Sequence, residues 1–320
     1  MKISVLDGYT LNPDDLSWEP LKKLASVAIH DRTPTDSASI VKAIGDAELV
    51  LTNKVPIGKT VIEQVPNLKY IGVTATGYNI IDTEAAKKQG IVVTNVPAYS
   101  TQAVAQFTIG LLLELCHHIG AHNQAVQNGQ WTSCSDFSFW NYPLVELAGK
   151  TMGIVGFGQI GKATATLAQA FGMQVLVYNR TKYPEFENDA LHFVSFKELL
   201  QTSDVISLHC PQTPETEGLI HRDSLSKMKS HAFLINTSRG GLVVESDLAE
   251  ALNSGSIAGA AVDVVSKEPI AANNPLLQAK NCIITPHIAW APIEARRRCM
   301  EVTVANVQAF LNGEPQHVVS

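Results

Sequence analysis

Three side chains of this sequence could act together on a carbonyl group. Arg239, Glu268 and His287 each lie shortly after an apolar run typical of a buried strand. A guanidinium offers a planar fork of N–H donors that suits carboxylate and carbonyl oxygens. An imidazole can protonate an oxygen that gains negative charge, and a carboxylate bonded to its second nitrogen fixes the tautomer. The three groups therefore suit the reduction of a small keto acid, provided that a hydride donor binds beside them.

Each of the three side chains also has an ordinary structural explanation. An arginine at a strand end commonly forms a surface ion pair. A glutamate before a proline, as in Glu268-Pro269, is commonly part of a loop, and a histidine after a proline, as in Pro286-His287, is commonly structural. The catalytic interpretation therefore depends on a cofactor site nearby and on elements that bring the three groups together.

A glycine loop of the dinucleotide-binding type lies between a predicted strand and a predicted helix. Gly156, Gly158 and Gly161 have the spacing G-x-G-x-x-G. The first glycine permits a tight turn, the second lets the backbone approach a pyrophosphate, and the third lets the helix pack on the strand. N–H groups at the helix start then face the phosphate charge. A glycine-rich turn of another α/β protein is the alternative, which a following strand at Gln174–Tyr178 disfavours.

Strands and helices alternate along the chain, which predicts an α/β fold with parallel sheets. The predicted strands are Ile3–Leu6, Val27–His30, Glu48–Thr52, Leu68–Val73, Ile91–Asn95, Met152–Val155, Gln174–Tyr178, Asp204–His209, Ala232–Asn236, Ala258–Val262 and Cys282–Thr285. A long helix is predicted at Ser100–Ile119, with apolar positions most of the way around it, so we expect it to be buried.

The alternation divides into two doubly wound parallel-sheet domains. We predict a flavodoxin-like substrate domain from residues 1–98 with 291–320, and a Rossmann cofactor domain from residues 99–290. The C-terminal helix is assigned to the first domain because Trp290-Ala291-Pro292 interrupts the chain directly after His287. Ligands of such sheets bind beyond the carboxyl ends of the strands, so the residues just after strand ends are the candidate site residues.

The composition argues against several classes of function. The formal net charge is −6 and no block of lysine and arginine stands out, so we expect no nucleic-acid partner. The most apolar helical stretch contains Gln106 and Glu114 and is too short to cross a bilayer, so we expect no membrane partner. Five scattered cysteines without C-x-x-C spacing indicate neither disulfides nor a metal site, which favours a cytoplasmic setting.

The sequence resembles the D-isomer-specific 2-hydroxyacid dehydrogenases over nearly its whole length. The resembling stretches are Gly72–Asp82, Pro97–Leu113, Leu147–Gly161, Leu208–Thr216, Leu234–Val243, Gly259–Pro269 and Thr285–Trp290, in the family's order. The resemblance implies that Arg239, Glu268 and His287 are the catalytic residues. It also implies that backbone N–H groups at Thr76 and Gly77 hold the substrate carboxylate.

The resemblance and the strand-end positions together define the candidate site. The family's nicotinamide contacts match Thr101 and Asp263, and its usual homodimer places the segment after the long helix in the interface. The predicted cofactor-binding residues are Thr101, Gly156, Gly158, Gln159, Ile160, Gly161, Asn179, Arg180, Thr181, Cys210, Pro211, Thr216, Thr237, Ser238, Asp263 and His287. The predicted substrate-binding residues are Asn53, Thr76, Gly77, Arg239 and His287. No metal site is predicted.

The residues after the second strand of the Rossmann domain bear on the choice of cofactor. Family members that prefer NAD carry an acidic residue there, bonded to the ribose hydroxyls, whereas this chain has Asn179, Arg180 and Thr181. A cation and a hydroxyl can bind a 2′-phosphate, which a carboxylate repels. We therefore favour NADP over NAD. The alternative is that Arg180 stacks on the adenine and that either cofactor binds.

The predicted function is an NAD(P)-dependent 2-hydroxyacid dehydrogenase. Residues 5–13 and 136–147 resemble glycerate dehydrogenases, also called hydroxypyruvate reductases, so we expect hydroxypyruvate and D-glycerate as substrates, with glyoxylate and glycolate as a second pair. Trp140 and Trp290 are candidates for keeping the substrate pocket small. Two alternatives stay open here: a D-lactate-type or other 2-hydroxyacid dehydrogenase, and a dinucleotide-sensing binding protein similar to the corepressors that share this fold.

Overall fold

The computed structural model describes residues 1–320, which divide into two compact units. The first unit comprises residues 1–100 with 291–320, and the second comprises residues 101–290. Each unit is built around one parallel sheet, so the predicted fold class of two parallel-sheet α/β domains is confirmed. No single helix has the length and apolarity needed to cross a membrane. The helices at Thr101–His117 and Ile119–Gln127 reach that length and composition only as a pair, which is bent by 55°.

The first unit contains a five-stranded sheet. Its strands are β1 (Lys2–Val5), β2 (Ser26–Ile29), β3 (Leu49–Thr52), β4 (Tyr70–Val73) and β5 (Val92–Thr94). Its first helices are α1 (Gly8–Leu11), α2 (Glu19–Lys22), α3 (Ser37–Ile44), α4 (Lys59–Ile62) and α5 (Thr83–Lys88). The strands lie in the order β2-β1-β3-β4-β5 and every neighbouring pair is parallel, which is the flavodoxin-like arrangement.

The second unit contains a seven-stranded sheet. Its helices are α6 (Thr101–His117), α7 (Ile119–Gln127), α8 (Gln159–Ala170), α9 (Phe196–Thr202), α10 (Arg222–Leu225) and α11 (Glu245–Ser254). Its strands are β6 (Thr151–Val155), β7 (Gln174–Tyr178), β8 (Leu191–Phe193), β9 (Val205–Leu208), β10 (Phe233–Asn236), β11 (Gly259–Val262) and β12 (Cys282–Ile284). The sheet order is β12-β11-β10-β9-β6-β7-β8. The order reverses at β6, as in a Rossmann fold, and ligands of such sheets bind at that point.

Each sheet has an apolar core on both of its faces. Successive strand residues point to opposite faces, so neighbouring residues of one strand belong to different cores. Along β10, Leu234 belongs to one apolar core, and Phe233 and Ile235 belong to the other. The same alternation occurs in the first unit, where Val50 and Leu51 of β3 lie in separate cores. Both sheets are therefore buried on two sides, and their polar strand ends are the surfaces left for ligands.

The helix predicted at Ser100–Ile119 corresponds to α6, which ends at His117, and it is followed by a second helix, α7, that was not predicted. His118 has a φ of 48°, in the left-handed region, and its backbone ends α6 and precedes α7. Every residue of α7 is at least partly exposed, so this helix lacks the apolar stripe by which a sequence reveals a helix. The three-residue strand β8 was likewise absent from the predicted strands because so short a run shows little periodicity.

The C-terminal helix α12 (Ile293–Leu311) completes the first unit. Val307 is buried in the same core as Ile3 and Tyr70. Arg296, of which 8% is exposed, forms a bidentate ion pair with the Asp15 carboxylate and donates to the Leu11 carbonyl at 3.2 Å. The long charged side chain thus ties the helix to the loop after α1.

Asp204 joins three parts of the second unit at the amino-terminal edge of its sheet. Its carboxylate accepts from the Thr151 N–H at 2.8 Å, the Lys229 ammonium at 2.8 Å and the His231 ring at 3.0 Å. Burial alone would raise the pKa of Asp204, but these three donors outweigh it and lower the pKa to about 2. The ionised form of Asp204 therefore stabilises the folded state.

We expect Asp204→Asn to lower the free energy of unfolding at pH 7 by about 2 kcal/mol, from the shift of the Asp204 pKa from 3.8 to about 2. Because the folded-state pKa is the lower one, this stability is present above about pH 4 and is lost as the pH falls to about 2. Urea unfolding at a series of pH values measures the difference, with the exposed Asp189→Asn as the control. A difference that stays constant from pH 7 to pH 2 would contradict this account.

Candidate active site

The strand order brings the segments that carry Arg239, Glu268 and His287 to neighbouring positions. Arg239 follows β10, Glu268 follows β11 and His287 follows β12, and these three strands are adjacent and parallel. Adjacent strands lie about 4.8 Å apart, so segments that leave their carboxyl ends are neighbours. Three residues that are separated by as many as 48 positions in the chain therefore meet at one sheet edge.

His287 and Glu268 form a direct hydrogen bond. The Nδ1 of His287 lies 2.7 Å from Oε2 of Glu268, and the two side chains are 24% and 37% exposed. A carboxylate accepts, so Nδ1 carries a proton and Nε2 is the nitrogen that remains for a ligand. The pair therefore has the arrangement of a general acid whose tautomer is set by a carboxylate.

Asp263 holds the backbone turn that presents His287. Of the Asp263 side chain only 1% is exposed, and its carboxylate accepts from the Thr285 hydroxyl at 2.6 Å, the Ile288 N–H at 2.9 Å and the Ala289 N–H at 2.8 Å. His287 itself has a φ of 55°, which a non-glycine residue adopts only when its surroundings hold it. No sequence pattern indicates this bonding, since the resemblance predicts Asp263 only as a cofactor contact.

Trp290 contributes to the same turn. Its indole N–H donates to the His287 carbonyl at 2.8 Å. The other tryptophan considered for the substrate pocket, Trp140, lies in the loop-rich segment after α7 and is 67% exposed. Within the second unit, Trp290 is thus bonded to the backbone of His287, whereas Trp140 lies at the surface.

The buried side-chain amide of Asn236 holds the backbone around Arg239 in place. Asn236, which is fully buried, donates from Nδ2 to the Arg239 carbonyl at 2.8 Å and accepts the Ser238 N–H at 3.0 Å. Gly240 must be glycine, because a Cβ there would lie 1.9 Å from the Val265 carbonyl carbon. One guanidinium nitrogen of Arg239 donates to the Ser238 carbonyl at 2.7 Å. Sequence reasoning missed Asn236, which the pattern showed only as the end of a strand.

The glycine loop has the shape that a dinucleotide requires. Gly156 has a φ of 97°, and a Cβ on it would lie 2.6 Å from the Cys210 nitrogen. A Cβ on Gly161 would lie 2.1 Å from the Gly156 carbonyl oxygen, whereas open space surrounds Gly158 at the start of α8. The N–H groups of Gln159 and Ile160, in the first turn of α8, have no partner within the helix and suit a pyrophosphate. The residues present therefore fit a dinucleotide cofactor.

The segment after β7 is ordered by Asn179. Its Oδ1 accepts the Phe157 N–H at 3.0 Å, and its Nδ2 donates to the Thr181 carbonyl at 2.7 Å. Arg180 and Thr181 are exposed. The pKa of Glu215 is lowered by a hydrogen bond from Thr213 and, among weaker causes, by the charge of Arg180. The positive charge of Arg180 therefore acts on a carboxylate of the segment that follows β9.

The remaining predicted cofactor residues lie at the same sheet edge, except Thr101, which begins α6. The Ser238 hydroxyl donates to the Cys210 carbonyl at 2.6 Å, and the Thr216 hydroxyl donates to the Pro211 carbonyl at 2.7 Å. Thr237 lies 3.1 Å from the Thr108 hydroxyl of α6. Burial raises the pKa of the Cys210 thiol to about 11, so this cysteine is a poor nucleophile near neutrality.

The predicted substrate residues of the first unit lie at the carboxyl edge of the five-stranded sheet. Asn53, 3% exposed, follows β3 and donates from Nδ2 to the Thr74 carbonyl at 2.7 Å. Its N–H and that of Lys54 donate to the buried carboxylate of Asp7, whose pKa burial raises. Thr76 is exposed and Gly77 is half-buried. The Asn53 amide is thus bonded to the loop that carries these two residues.

The profile described as the D-isomer specific 2-hydroxyacid dehydrogenase, NAD binding domain, matches residues 109–289. The chain belongs to this family. A hydroxypyruvate reductase of Blautia hydrogenotrophica is 54% identical over 100% of both chains, and a glycerate dehydrogenase of Methylorubrum extorquens is 43% identical over 88% of both. The solved structure of an acyclic imino acid reductase (Bsp5) in complex with NADPH and D-Arg is 31% identical, with a TM-score of 0.87 over 100% of both chains.

Membership confirms the resemblance seen in the sequence. This D-2-hydroxyacid dehydrogenase is an oxidoreductase that acts on a CH–OH group and uses a nicotinamide cofactor. The glycine loop and the Arg239, Glu268 and His287 segments all fall within the matched residues.

Proposed function

We propose that this dehydrogenase reduces hydroxypyruvate to D-glycerate, and glyoxylate to glycolate as a second reaction. The 2.7 Å hydrogen bond between His287, which follows β12, and Glu268, which follows β11 next to the strand that leads to Arg239, carries the proposal. It is supported by the similarity to a hydroxypyruvate reductase over the full length of both chains.

In the proposed mechanism, His287 is the acid–base residue. When bound, a reduced nicotinamide supplies a hydride for the carbonyl carbon of the substrate. As negative charge develops on the carbonyl oxygen, Nε2–H of the protonated His287 donates its proton to that oxygen. Glu268 stays bonded to Nδ1 throughout, so it stabilises the protonated ring and keeps Nε2 directed to the substrate. In the oxidative direction, the neutral ring accepts the hydroxyl proton at Nε2.

Arg239 and the loop after β4 bind and polarise the substrate in this proposal. The guanidinium donates to a carboxylate oxygen and to the carbonyl oxygen, for which its planar fork is suited. The backbone N–H groups of Thr76 and Gly77 bind the carboxylate, and no acceptor within the chain occupies them. Residues 1–98 with 291–320 then form the substrate domain, and residues 99–290 the cofactor domain.

We further propose that NADPH is preferred to NADH. Arg180 and Thr181 are exposed at the carboxyl end of β7, and Asn179 supplies no negative charge there. One charge-assisted interaction with a 2′-phosphate contributes about 1.5–3 kcal/mol, so we expect kcat/KM for NADPH to exceed that for NADH by about tenfold or more. Asn179→Asp, which keeps the oxygen that accepts the Phe157 N–H, should reverse the preference because its charge repels the 2′-phosphate. An unchanged preference in Asn179→Asp would count against the proposed site of the 2′-phosphate.

The experiment for the whole proposal is the oxidation of NADPH and NADH, measured side by side with hydroxypyruvate, glyoxylate, pyruvate and phosphohydroxypyruvate. We expect hydroxypyruvate to give the highest kcat/KM. A preference for pyruvate would replace the assignment with a D-lactate-type enzyme. Turnover of none of the four, with tight dinucleotide binding, would favour the binding-protein alternative.

We also propose a homodimer that uses the segment after α7. Phe137 is 91% exposed and Leu144 is 53% exposed, together with Trp140, and apolar side chains this exposed favour a protein interface. Sedimentation equilibrium tests the dimer, and a monomer at micromolar concentration would contradict it. A cytoplasmic location stays a prediction from the cysteine pattern.

A further inference from the structure

The loop after β4 is shaped by two asparagines that stand at the ends of the neighbouring strands. Asn53 follows β3 and donates to the Thr74 carbonyl at 2.7 Å, and Asn95 follows β5 and donates from Nδ2 to the Thr76 carbonyl at 2.7 Å. Each side-chain amide therefore fixes the direction of one carbonyl of the loop. The Thr76 hydroxyl adds a further bond, to the Val96 carbonyl at 2.9 Å.

The bond from Asn95 determines where the Gly77 N–H points. The Thr76 carbonyl and the Gly77 N–H belong to one peptide unit, and that unit is trans because Glu268-Pro269 is the chain's single cis bond. In a planar trans peptide the C=O and N–H point in opposite directions. With the carbonyl held toward Asn95, the N–H is directed away from Asn95, and no acceptor in the chain meets it.

Asn95 is itself held by α12 and by the segment that follows α12. Asn306, of which 1% is exposed, donates from Nδ2 to the Asn95 carbonyl at 2.9 Å. The Asn95 N–H donates to the His317 carbonyl at 3.2 Å. Next to Asn95, Thr94 forms an antiparallel bridge with Val318. The residue after β5 is thus fixed on its backbone N–H, its carbonyl and its side chain.

The His317 side chain completes this arrangement. Its Nδ1 lies 2.8 Å from Oδ1 of Asn306. Because Asn306 must use its NH₂ on the Asn95 carbonyl, its Oδ1 is an acceptor and the His317 Nδ1 must donate. Nδ1 keeps its proton whether or not Nε2 is protonated, so the bond survives in both charge states. The result is one chain of hydrogen bonds, His317 to Asn306 to Asn95 to Thr76.

We propose that Asn95, backed by Asn306 and His317, is a positioning residue that aims the Gly77 N–H at the substrate carboxylate. The inference rests on the proposed function, in which that N–H binds the carboxylate. None of the three side chains needs to touch the substrate. They hold the peptide between Thr76 and Gly77 in the orientation that directs its N–H to the carboxylate. Without them, this peptide would have to be oriented when the substrate binds, at a cost in binding free energy.

The test compares Asn95→Leu and Asn306→Leu with the unaltered protein, using hydroxypyruvate as substrate and oxamate, a planar isostere of pyruvate, as a competitive probe. For Asn95→Leu we expect KM and the oxamate Ki to rise by about tenfold, which corresponds to one hydrogen bond to a charged group. Asn306 acts on the loop only through Asn95, so Asn306→Leu should raise KM and the oxamate Ki by about threefold. In both variants kcat should stay within about twofold, because His287, Glu268 and Arg239 are unaltered.

Two further measurements separate positioning from damage to the fold. The Kd of NADPH should not change, because the dinucleotide residues lie in the second unit, and the thermal midpoint shows whether each variant is folded. If Asn95→Leu does not fold, Asn95→Asp takes its place, since it keeps the volume and removes the donor to the Thr76 carbonyl. A folded variant at Asn95 with unchanged KM and oxamate Ki would overturn the inference, as would a loss in kcat alone.

A variant at Gly77 distinguishes failure of this inference from failure of the proposed function. Gly77→Pro removes the N–H itself. If it leaves the oxamate Ki unchanged while NADPH still binds, the carboxylate does not bind at this N–H, and the proposed function loses that contact. If Gly77→Pro weakens oxamate and a folded Asn95 variant does not, the contact stands and the positioning role is wrong.

Discussion

Replacing His287 with glutamine should lower kcat for hydroxypyruvate reduction by about 10²–10⁴-fold, the usual contribution of a general acid. Glutamine retains a polar side chain that can reach Glu268, but it cannot transfer a proton at neutral pH. The Kd of the nicotinamide cofactor should stay within about threefold, because most of the predicted dinucleotide contacts lie on the glycine loop and the segment after β7. Steady-state kinetics and fluorescence titration of the cofactor measure the two effects.

His192→Gln is the matched control for His287→Gln. His192 is an exposed histidine of β8, at the opposite edge of the seven-stranded sheet from β12. Its replacement should leave kcat within about twofold, as is usual for surface positions. Turnover of His287→Gln close to that of the unaltered enzyme would refute the assignment of His287 as the acid.

Replacing Arg239 with lysine should lower kcat/KM by about 10²-fold or more, equivalent to about 3 kcal/mol of transition-state binding. Lysine keeps the positive charge but loses the planar fork that can bond to two oxygens at once. We expect both a higher KM for the keto acid and a lower kcat, because the fork serves the carboxylate in the ground state and the carbonyl oxygen in the transition state. Cofactor affinity should be unaffected.

Arg222→Lys is the matched control for Arg239→Lys. Arg222 is an exposed arginine in α10 that pairs with Glu250, and exchange of an exposed ion pair changes little. Millimolar guanidinium should partly restore the activity of Arg239→Ala, which separates a missing functional group from a disturbed fold. An Arg239→Lys enzyme with normal kcat/KM would show that no bidentate contact is made.

The strength of the glycine loop as a sequence signal has a physical basis. At Gly156 and Gly161 a Cβ would collide with backbone atoms, so only glycine fits. Because this requirement comes from local geometry, the spacing of the glycines can be recognised in the sequence alone. Likewise, the alternation of apolar runs and helices was enough to predict two parallel sheets. Helix α7 was not predictable in this way, because none of its residues is buried and it has no apolar stripe.

The catalytic residues of the candidate site were predictable from their positions after strand ends. Arg239, Glu268 and His287 could be singled out because residues after strand ends are where such sheets bind ligands. The residues that hold the backbone of the site in place could not be singled out in this way. Asp263, Asn236 and Asn95 are an aspartate and two asparagines at strand ends, and nothing in their type shows whether they face a ligand or bind the chain's own backbone.

The sequence by itself thus determined the two α/β units, the dinucleotide loop, the candidate acid and its companions, and the family. These features depend on short-range rules, namely apolar periodicity, turn chemistry and motif spacing. Only the tertiary structure decided the order of β10, β11 and β12, the 2.7 Å bond between His287 and Glu268, and the hydrogen bonds that run from His317 to Thr76. Those depend on contacts between residues far apart in the chain, whose pairing follows from how strands and helices pack and not from any local pattern.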